Sequence, residues 1–166
     1  MRKISFIVFS ALFAIAGCRD KPKEVPKAAL LESAHLASEA AFAVQVREYA
    51  RAEGLLAKAV EINSEDAELW MQLGVARRRL DNRDGARQAY GKALSLREAA
   101  YKREPKPELL VQQIEALVLL GKTDEARALL EKAQKKHGND PQIKEFVAGK
   151  YIDQMLADPQ FAQLKL

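Results

Sequence analysis

Three residues at helical spacing recur three times along the chain, and this repeat limits the folds that the chain can adopt. Each copy has members at i, i+4 and i+7, which lie on one face of a helix. The copies are Ala52-Leu56-Ala59, Ala86-Tyr90-Ala93 and Ala126-Leu130-Ala133. The second copy follows the first by 34 residues, and the third follows the second by 40. Because most members are alanine, we expect these faces to pack closely against a neighbouring helix.

A second helix-spaced pattern precedes each copy and recurs with the same two intervals. Its members are Leu36 and Ala40, then Trp70 and Gly74, then Leu110 and Ile114. A unit of two helices therefore repeats near residues 33–66, 67–106 and 107–140. Such units bury their apolar faces by stacking on one another.

The most regular unit is AELWMQLGVARRRLDNRDGARQAYGKA, residues 67–93. It contains, in order, Trp70, Leu73, Gly74, Ala86, Tyr90 and Ala93. This pattern resembles the tetratricopeptide repeat, except that Arg77 stands where the family has a second aromatic residue. The resemblance implies an all-α fold for residues 28–166, a right-handed α-solenoid of about three helix pairs with a C-terminal capping helix.

Two departures from the repeat predict local changes. Six extra residues lie in the second pair before Pro105 and Pro107, so its second helix should overrun by about 9 Å at 1.5 Å per residue. The two prolines should end it and restart the next helix. In the third pair Ile114 replaces a small residue, which should separate the two helices slightly.

Several residues predict helix ends. We expect Ser64 to cap the helix that follows it, and Asp140 with Pro141 to open a capping helix over residues 141–157. A stack of helix pairs leaves its last apolar face uncovered, and such a helix covers it. Asp158 and Pro159 should start a final turn that folds back on this helix through Phe161 and Leu164.

The first 18 residues, MRKISFIVFSALFAIAGC, have the pattern of a targeting segment. Two basic residues precede an apolar run that is short for a membrane span. The end of the segment resembles a bacterial lipobox, which implies cleavage after residue 17 and lipidation of Cys18, the only cysteine of the chain. An ordinary signal peptide, or an uncleaved anchor with an incidental cysteine, is the alternative.

Residues 18–27 contain two prolines and several basic side chains, and we interpret them as a tether between lipid and domain. The basic side chains either contact anionic head groups or are simply solvated. Arg19 follows Cys18, where an aspartate would resemble an inner-membrane retention signal. We therefore expect the protein to be lipid-anchored at the periplasmic face of an outer membrane.

Charge and ionisable residues favour a binding role over catalysis. The net charge is +4, and Arg2 and Lys3 of the targeting segment supply two of these charges, so no nucleic-acid partner is indicated. His35 and His137 lie in different terminal repeats and have no cysteine beside them, so no metal site is predicted. No nucleophile–base pattern or phosphate loop occurs. We predict that the protein is not an enzyme and has no cofactor besides the lipid on Cys18.

Stacked helix pairs create an inner groove lined by the first helix of each pair. The predicted partner-binding residues on these helices are Met71, Gln72, Val75, Arg78, Arg79, Gln112 and Glu115. They suit a peptide with apolar anchors and an acidic group near the two arginines. The family's carboxylate clamp of Lys, Asn and Arg is absent, because the matching positions hold Ala37, Ala41, Gln72, Glu108 and Gln112.

A simpler interpretation of these side chains stays open. The apolar residues Val111, Val118 and Leu119 belong either to the groove or to the core, and Arg77, Arg78 and Arg79 either bind a partner or form a solvated face. The sequence thus predicts an envelope adaptor that binds a protein or peptide partner. The alternative is a structural subunit of a large envelope, pilus or secretion complex, held through its outer faces.

Overall fold

A computed structural model describes residues 25–166 of the protein, and this part of the chain forms nine helices and no strands. The helices are α1 (Lys27–Gln45), α2 (Tyr49–Ile62), α3 (Ala67–Arg79), α4 (Arg83–Arg103), α5 (Pro107–Leu119), α6 (Thr123–His137), α7 (Pro141–Ala148), α8 (Tyr151–Ala157) and α9 (Pro159–Ala162). The predicted signal peptide 1–17, Cys18 and the tether up to residue 24 lie outside the described residues.

The first six helices form three antiparallel pairs, α1 with α2, α3 with α4, and α5 with α6. Successive pairs join where α2 packs on α3 and α4 packs on α5. The predicted all-α solenoid of three helix pairs is confirmed. Within residues 25–166 no helix has the length and apolar character needed to cross a membrane.

The recurring triplets lie in the core, as their spacing predicted. Every alanine of the three triplets is at most 1% exposed, and Leu56 and Tyr90 are equally buried. Leu130 of the third triplet is half-buried. Small residues at these positions allow the second helix of each pair to approach its partner closely.

The N-cap of α3 is Asp66, so the prediction of Ser64 was wrong. One carboxylate oxygen of Asp66 accepts hydrogen bonds from the backbone N–H groups of Glu68 at 2.9 Å and Leu69 at 3.3 Å. Asp66 directly precedes α3, whereas Ser64 lies too early to reach these groups. Ser64 instead offers its backbone carbonyl to the indole N–H of Trp70 at 2.8 Å.

The predicted overrun of the second pair is confirmed. Helix α4 has 21 residues, against 15 in α6. It ends at Arg103, and α5 begins at Pro107. The extra length brings Tyr101 to α6, where its hydroxyl lies 3.0 Å from Nε2 of His137.

The predicted cap of the last pair is present, but the single helix 141–157 was wrong, because α7 and α8 are separate. Asp140 caps α7 and Pro141 opens it, as predicted. The break follows Gly149, where Lys150 adopts the left-handed conformation at φ 50°. The turn stacks the rings of Phe146 and Tyr151 at 5.1 Å, and both α7 and α8 contact α5. We attribute the break to this packing.

Candidate binding groove

A groove of about 440 Å³ lies between α1, α3 and α5. Its walls carry the apolar side chains Ala40, Ala41, Val44, Leu56, Met71 and Val75. Two amides and three charged groups complete it, namely Gln45, Gln72, Glu68, Arg97 and Glu115. We refer to this space as the groove. Since the first helix of each pair contributes to it, it is the concave surface that stacked helix pairs create.

Four of the seven predicted partner-binding residues line the groove. They are Met71, Gln72, Val75 and Glu115. Gln112 lies beside it, in a hollow that also includes Asn63 and Asp66 and that we call the Gln112 hollow. Glu68 and Arg97 line both spaces. The structure thus brings five of the seven residues to one region of the concave surface.

Arg78 and Arg79, the other two, lie under residues 158–166, which we call the C-terminal tail. Nε of Arg78 donates to the backbone carbonyl of Lys165 at 3.0 Å. Arg79 donates to the side-chain oxygen of Gln163 at 2.7 Å, and its guanidinium lies 5.9 Å from the ring centre of Tyr49. Nη1 of Arg78 also donates to the carboxylate of Asp81 at 3.3 Å. The acidic ligand group that we predicted beside these arginines is thus replaced by oxygens of the chain itself.

The tail is seated by apolar packing and by two further hydrogen bonds. Phe161, Leu164 and Leu166 pack on the core cluster that includes Tyr90 and Leu119. The N–H of Leu166 donates to the carbonyl of Leu119 at 2.9 Å, and the Tyr90 hydroxyl donates to the carbonyl of Leu164 at 3.3 Å. The tail therefore folds back further than predicted, past the cap and onto α3, α4 and α5.

Burial keeps the Tyr90 hydroxyl in its neutral, donating form. It raises the pKa of Tyr90 well above its ordinary range, and the charges of Arg78 and Arg79 oppose this only in part. The hydroxyl therefore stays protonated, and able to donate to the Leu164 carbonyl, even at a pH where an ordinary tyrosine ionises.

Arg97 is a groove residue that the sequence analysis missed. It is only 4% exposed, and it donates to the Gln112 carbonyl at 2.9 Å and to the Glu68 carboxylate at 3.2 Å. Its Nε has no hydrogen-bond partner within residues 25–166. Burial lowers the pKa of Arg97, while Glu68 and Glu115 raise it. The sequence spacing indicates this burial, because Arg97 follows Ala93 at i+4 and so extends the buried triplet face.

Glu115 is half-buried on α5 and forms no ion pair in the described part of the chain. It also lines a second hollow of about 220 Å³ with Val111, Phe146 and Tyr151, which we call the Phe146 hollow. Burial raises the pKa of Glu115; Arg97 lowers it and Glu68 raises it further. This carboxylate therefore lies between two cavities without a direct ion pair, and the nearby charge of Arg97 offsets its burial only in part.

Two of the three ambiguous apolar residues belong to the core. Val118 is fully buried and Leu119 is 4% exposed, whereas Val111 is half-buried in the Phe146 hollow. Arg77 belongs neither to the groove nor to a solvated face. Its Nε donates to Glu53 on α2 at 3.0 Å.

The two histidines contact groups of the chain itself. His35 lies 3.0 Å from Glu39 on the same helix, and His137 contacts Tyr101. Among residues 25–166, no three side chains of His, Cys, Asp or Glu are arranged as a metal site.

The central helix pair is the part of the chain that is similar to a known family. Residues 67–99 match the tetratricopeptide repeat model. The match covers α3 and most of α4, including five of the residues that line the groove. No curated protein matches the chain. A tetratricopeptide repeat indicates a protein-interaction module, which agrees with the concave groove.

Proposed function

We propose that this protein is a lipid-anchored adaptor of the bacterial envelope that binds a protein or peptide partner in the groove. One observation carries the proposal. The concave surface is covered by the C-terminal tail at the Arg78 and Arg79 end, but the groove beside it stays open and presents apolar walls with a few polar groups. Binding sites for peptides have this composition.

The membrane anchor is supported by the lipobox-like end of the first 18 residues. Two or more acyl chains on Cys18 would hold the protein at the membrane nearly permanently, at about 0.8 kcal/mol per buried CH₂. Cys18→Ser should therefore release the protein from the membrane fraction. Full membrane retention of this variant would contradict the anchor. We propose the periplasmic face of the outer membrane as the location, with residues 18–27 as tether.

We propose a binding role without catalysis. The charged groups that line the groove are Glu68, Arg97 and Glu115. Arg97 is held by Glu68 and by a backbone carbonyl, which suits a fixed structural charge. A hydroxyl or thiol nucleophile is not among the residues that line the groove.

The alternative is a structural subunit held through its outer surface, and one feature of α1 favours it. Leu31 and Phe42 lie on one face of this helix and are 64% and 58% exposed, and Val46, which directly follows the helix, is 47% exposed. Exposed apolar residues on one face mark interaction surfaces. In this case a neighbouring subunit would cover α1 and the groove would have no ligand.

Photo-crosslinking in intact cells distinguishes the two functions. A benzophenone amino acid replaces either Gln72 in the groove or Phe42 on the exposed face of α1, and Ala99, exposed on α4, serves as the control position. We expect Gln72 to capture a distinct protein that the Ala99 variant does not. Capture from Phe42 alone would establish the subunit alternative and overturn the adaptor. Capture from neither position would contradict both.

A further inference from the structure

We infer that the groove binds a peptide segment in which a lysine or arginine lies close to an aliphatic residue, with Glu115 receiving the cation. This inference rests on the proposed function and specifies the chemistry of the partner. It reverses the ligand charge that the sequence predicted, because the structure changes which charges are available.

The charged groups that line the groove carry a net negative charge. Two carboxylates, Glu68 and Glu115, face one guanidinium, Arg97. Arg97 is already paired with Glu68 at 3.2 Å, so one negative charge remains. The arginines that were expected to attract an acidic group are engaged with the C-terminal tail. A cationic side chain is therefore electrostatically complementary to the open part of the groove.

The surroundings of the groove have the same sign. The Gln112 hollow carries Asp66 and Glu65 besides the pair of Glu68 and Arg97, and Lys92 lies 3.8 Å from Glu65. The Phe146 hollow carries Glu145 together with Glu115. A cationic segment that crosses from one hollow to the other would thus meet carboxylates along its path. An acidic segment would be repelled along the same path.

Glu115 is the carboxylate of the groove that can receive a cation. A half-buried carboxylate without an ion pair has lost part of its hydration, and an incoming ammonium or guanidinium group restores a charged partner. The walls near it are apolar, including Met71 in the groove and Val111 and Phe146 in the hollow. The alkyl stem of a lysine or arginine packs well on such walls while its charged end reaches the carboxylate.

The groove also has room for an aliphatic residue of the ligand. On the α1 side the wall consists of Ala40, Ala41 and Val44, whose small side chains leave space above them. Met71 on the opposite wall has an unbranched side chain, a type that adapts to different shapes. A leucine, isoleucine or valine therefore fits between α1 and α3, in the same groove as Glu115.

A random dodecapeptide phage library tests this inference. The library is selected on the full-length protein, which is purified in detergent and immobilised. An enriched peptide is then synthesised with a fluorophore, and fluorescence anisotropy measures its affinity for the protein. We expect enriched sequences to share a lysine or arginine near an aliphatic residue. Glu115→Gln should weaken binding about tenfold, while Glu131→Gln on the exposed face of α6 should leave it unchanged.

Two further variants separate this inference from the proposed function. Ala41→Trp fills the groove, and Ala99→Trp is its matched control on α4. Suppose that Ala41→Trp loses binding. If the enriched peptides then carry no basic residue, or if Glu115→Gln binds as well as the wild type, the charge inference is overturned while binding in the groove still holds. If no peptide is enriched, or if Ala41→Trp binds normally, groove binding fails as well. Self-association that Ala41→Trp abolishes would identify a second copy as the occupant and overturn the inference.

Discussion

Gly74 on α3 lies directly against the ring of Tyr90 on α4. A Cβ atom built on Gly74 would overlap Cδ1 and Cε1 of Tyr90, whose side chain is fully buried. The two helices of the central repeat therefore approach at a distance that only glycine permits. The same contact positions the Tyr90 hydroxyl beneath the C-terminal tail.

We predict that Gly74→Ala destabilises the protein, because the buried ring has to move to admit the methyl group. The expected loss in the free energy of unfolding is about 1–3 kcal/mol, as in other overpacked cores. Urea denaturation measures it. Gly54→Ala and Gly91→Ala are matched controls, since nothing lies within 4 Å of an added Cβ there. Both should stabilise the protein by about 0.5–1 kcal/mol, because alanine favours helix interiors. A neutral Gly74→Ala would show that the contact is not tight.

Arg77 has a structural role at the position where the repeat family has an aromatic residue. Its side chain is 21% exposed, and that of its partner Glu53 is 29% exposed. Arg77 also donates to the carbonyl of Gly85 at 3.4 Å. In place of ring packing, an ion pair thus connects α3 to α2, and a hydrogen bond connects α3 to the start of α4.

A double-mutant cycle with Arg77→Met and Glu53→Gln measures this connection. We expect a coupling free energy of about 1 kcal/mol, since the pair is partly shielded from water. High salt should reduce the coupling. Strict additivity of the two substitutions in urea denaturation would mean that the pair contributes nothing to stability.

The helix pairs could be predicted from the sequence because their information is local and periodic. Alanine and leucine at i, i+4 and i+7 define a buried face without knowledge of the partner helix, and Pro107 and Pro141 mark helix starts by their own geometry. The same spacing would have identified Arg97 as buried if it had been continued one step past Ala93.

The arrangement of the site could not be predicted because it depends on contacts between distant residues. Arg79 and Gln163 are 84 residues apart, and no periodicity connects a tail to the end of α3. The break before α8 is similar, because residues 141–157 carry a helical pattern throughout. Stacking of Phe146 on Tyr151 and packing against α5 favour a left-handed Lys150 instead. The net charge of the open groove likewise depends on tertiary contacts, because the C-terminal tail engages Arg78 and Arg79.

The tail should loosen when its apolar anchor is removed. Phe161 is half-buried between α5, α8 and the core cluster of Tyr90, and Phe161→Ala removes most of this contact. We expect the amide of Leu166, which is bonded to Leu119, to exchange with solvent about tenfold or more faster. Hydrogen exchange by NMR measures this change. Gln160→Ala, at an exposed neighbouring position, is the control. Unchanged exchange at Leu166 would show that the tail is held by its polar contacts alone.

Glu115 should reduce stability at neutral pH, since burial raises its pKa in the folded protein above the ordinary 4.5 of the unfolded chain. The folded state then binds this proton more tightly, so the associated stability is fully present below pH 4.5 and is lost as the pH rises through the higher folded pKa. Glu115→Gln cannot ionise and avoids this loss. We expect the variant to be more stable than the wild type at pH 7 and nearly equal to it at pH 4. Urea denaturation at both pH values measures this difference, with Glu131→Gln as the control. If Glu115→Gln is less stable than the wild type at pH 7, the carboxylate is compensated within the fold. The inference that it is available to a cationic partner would then be wrong.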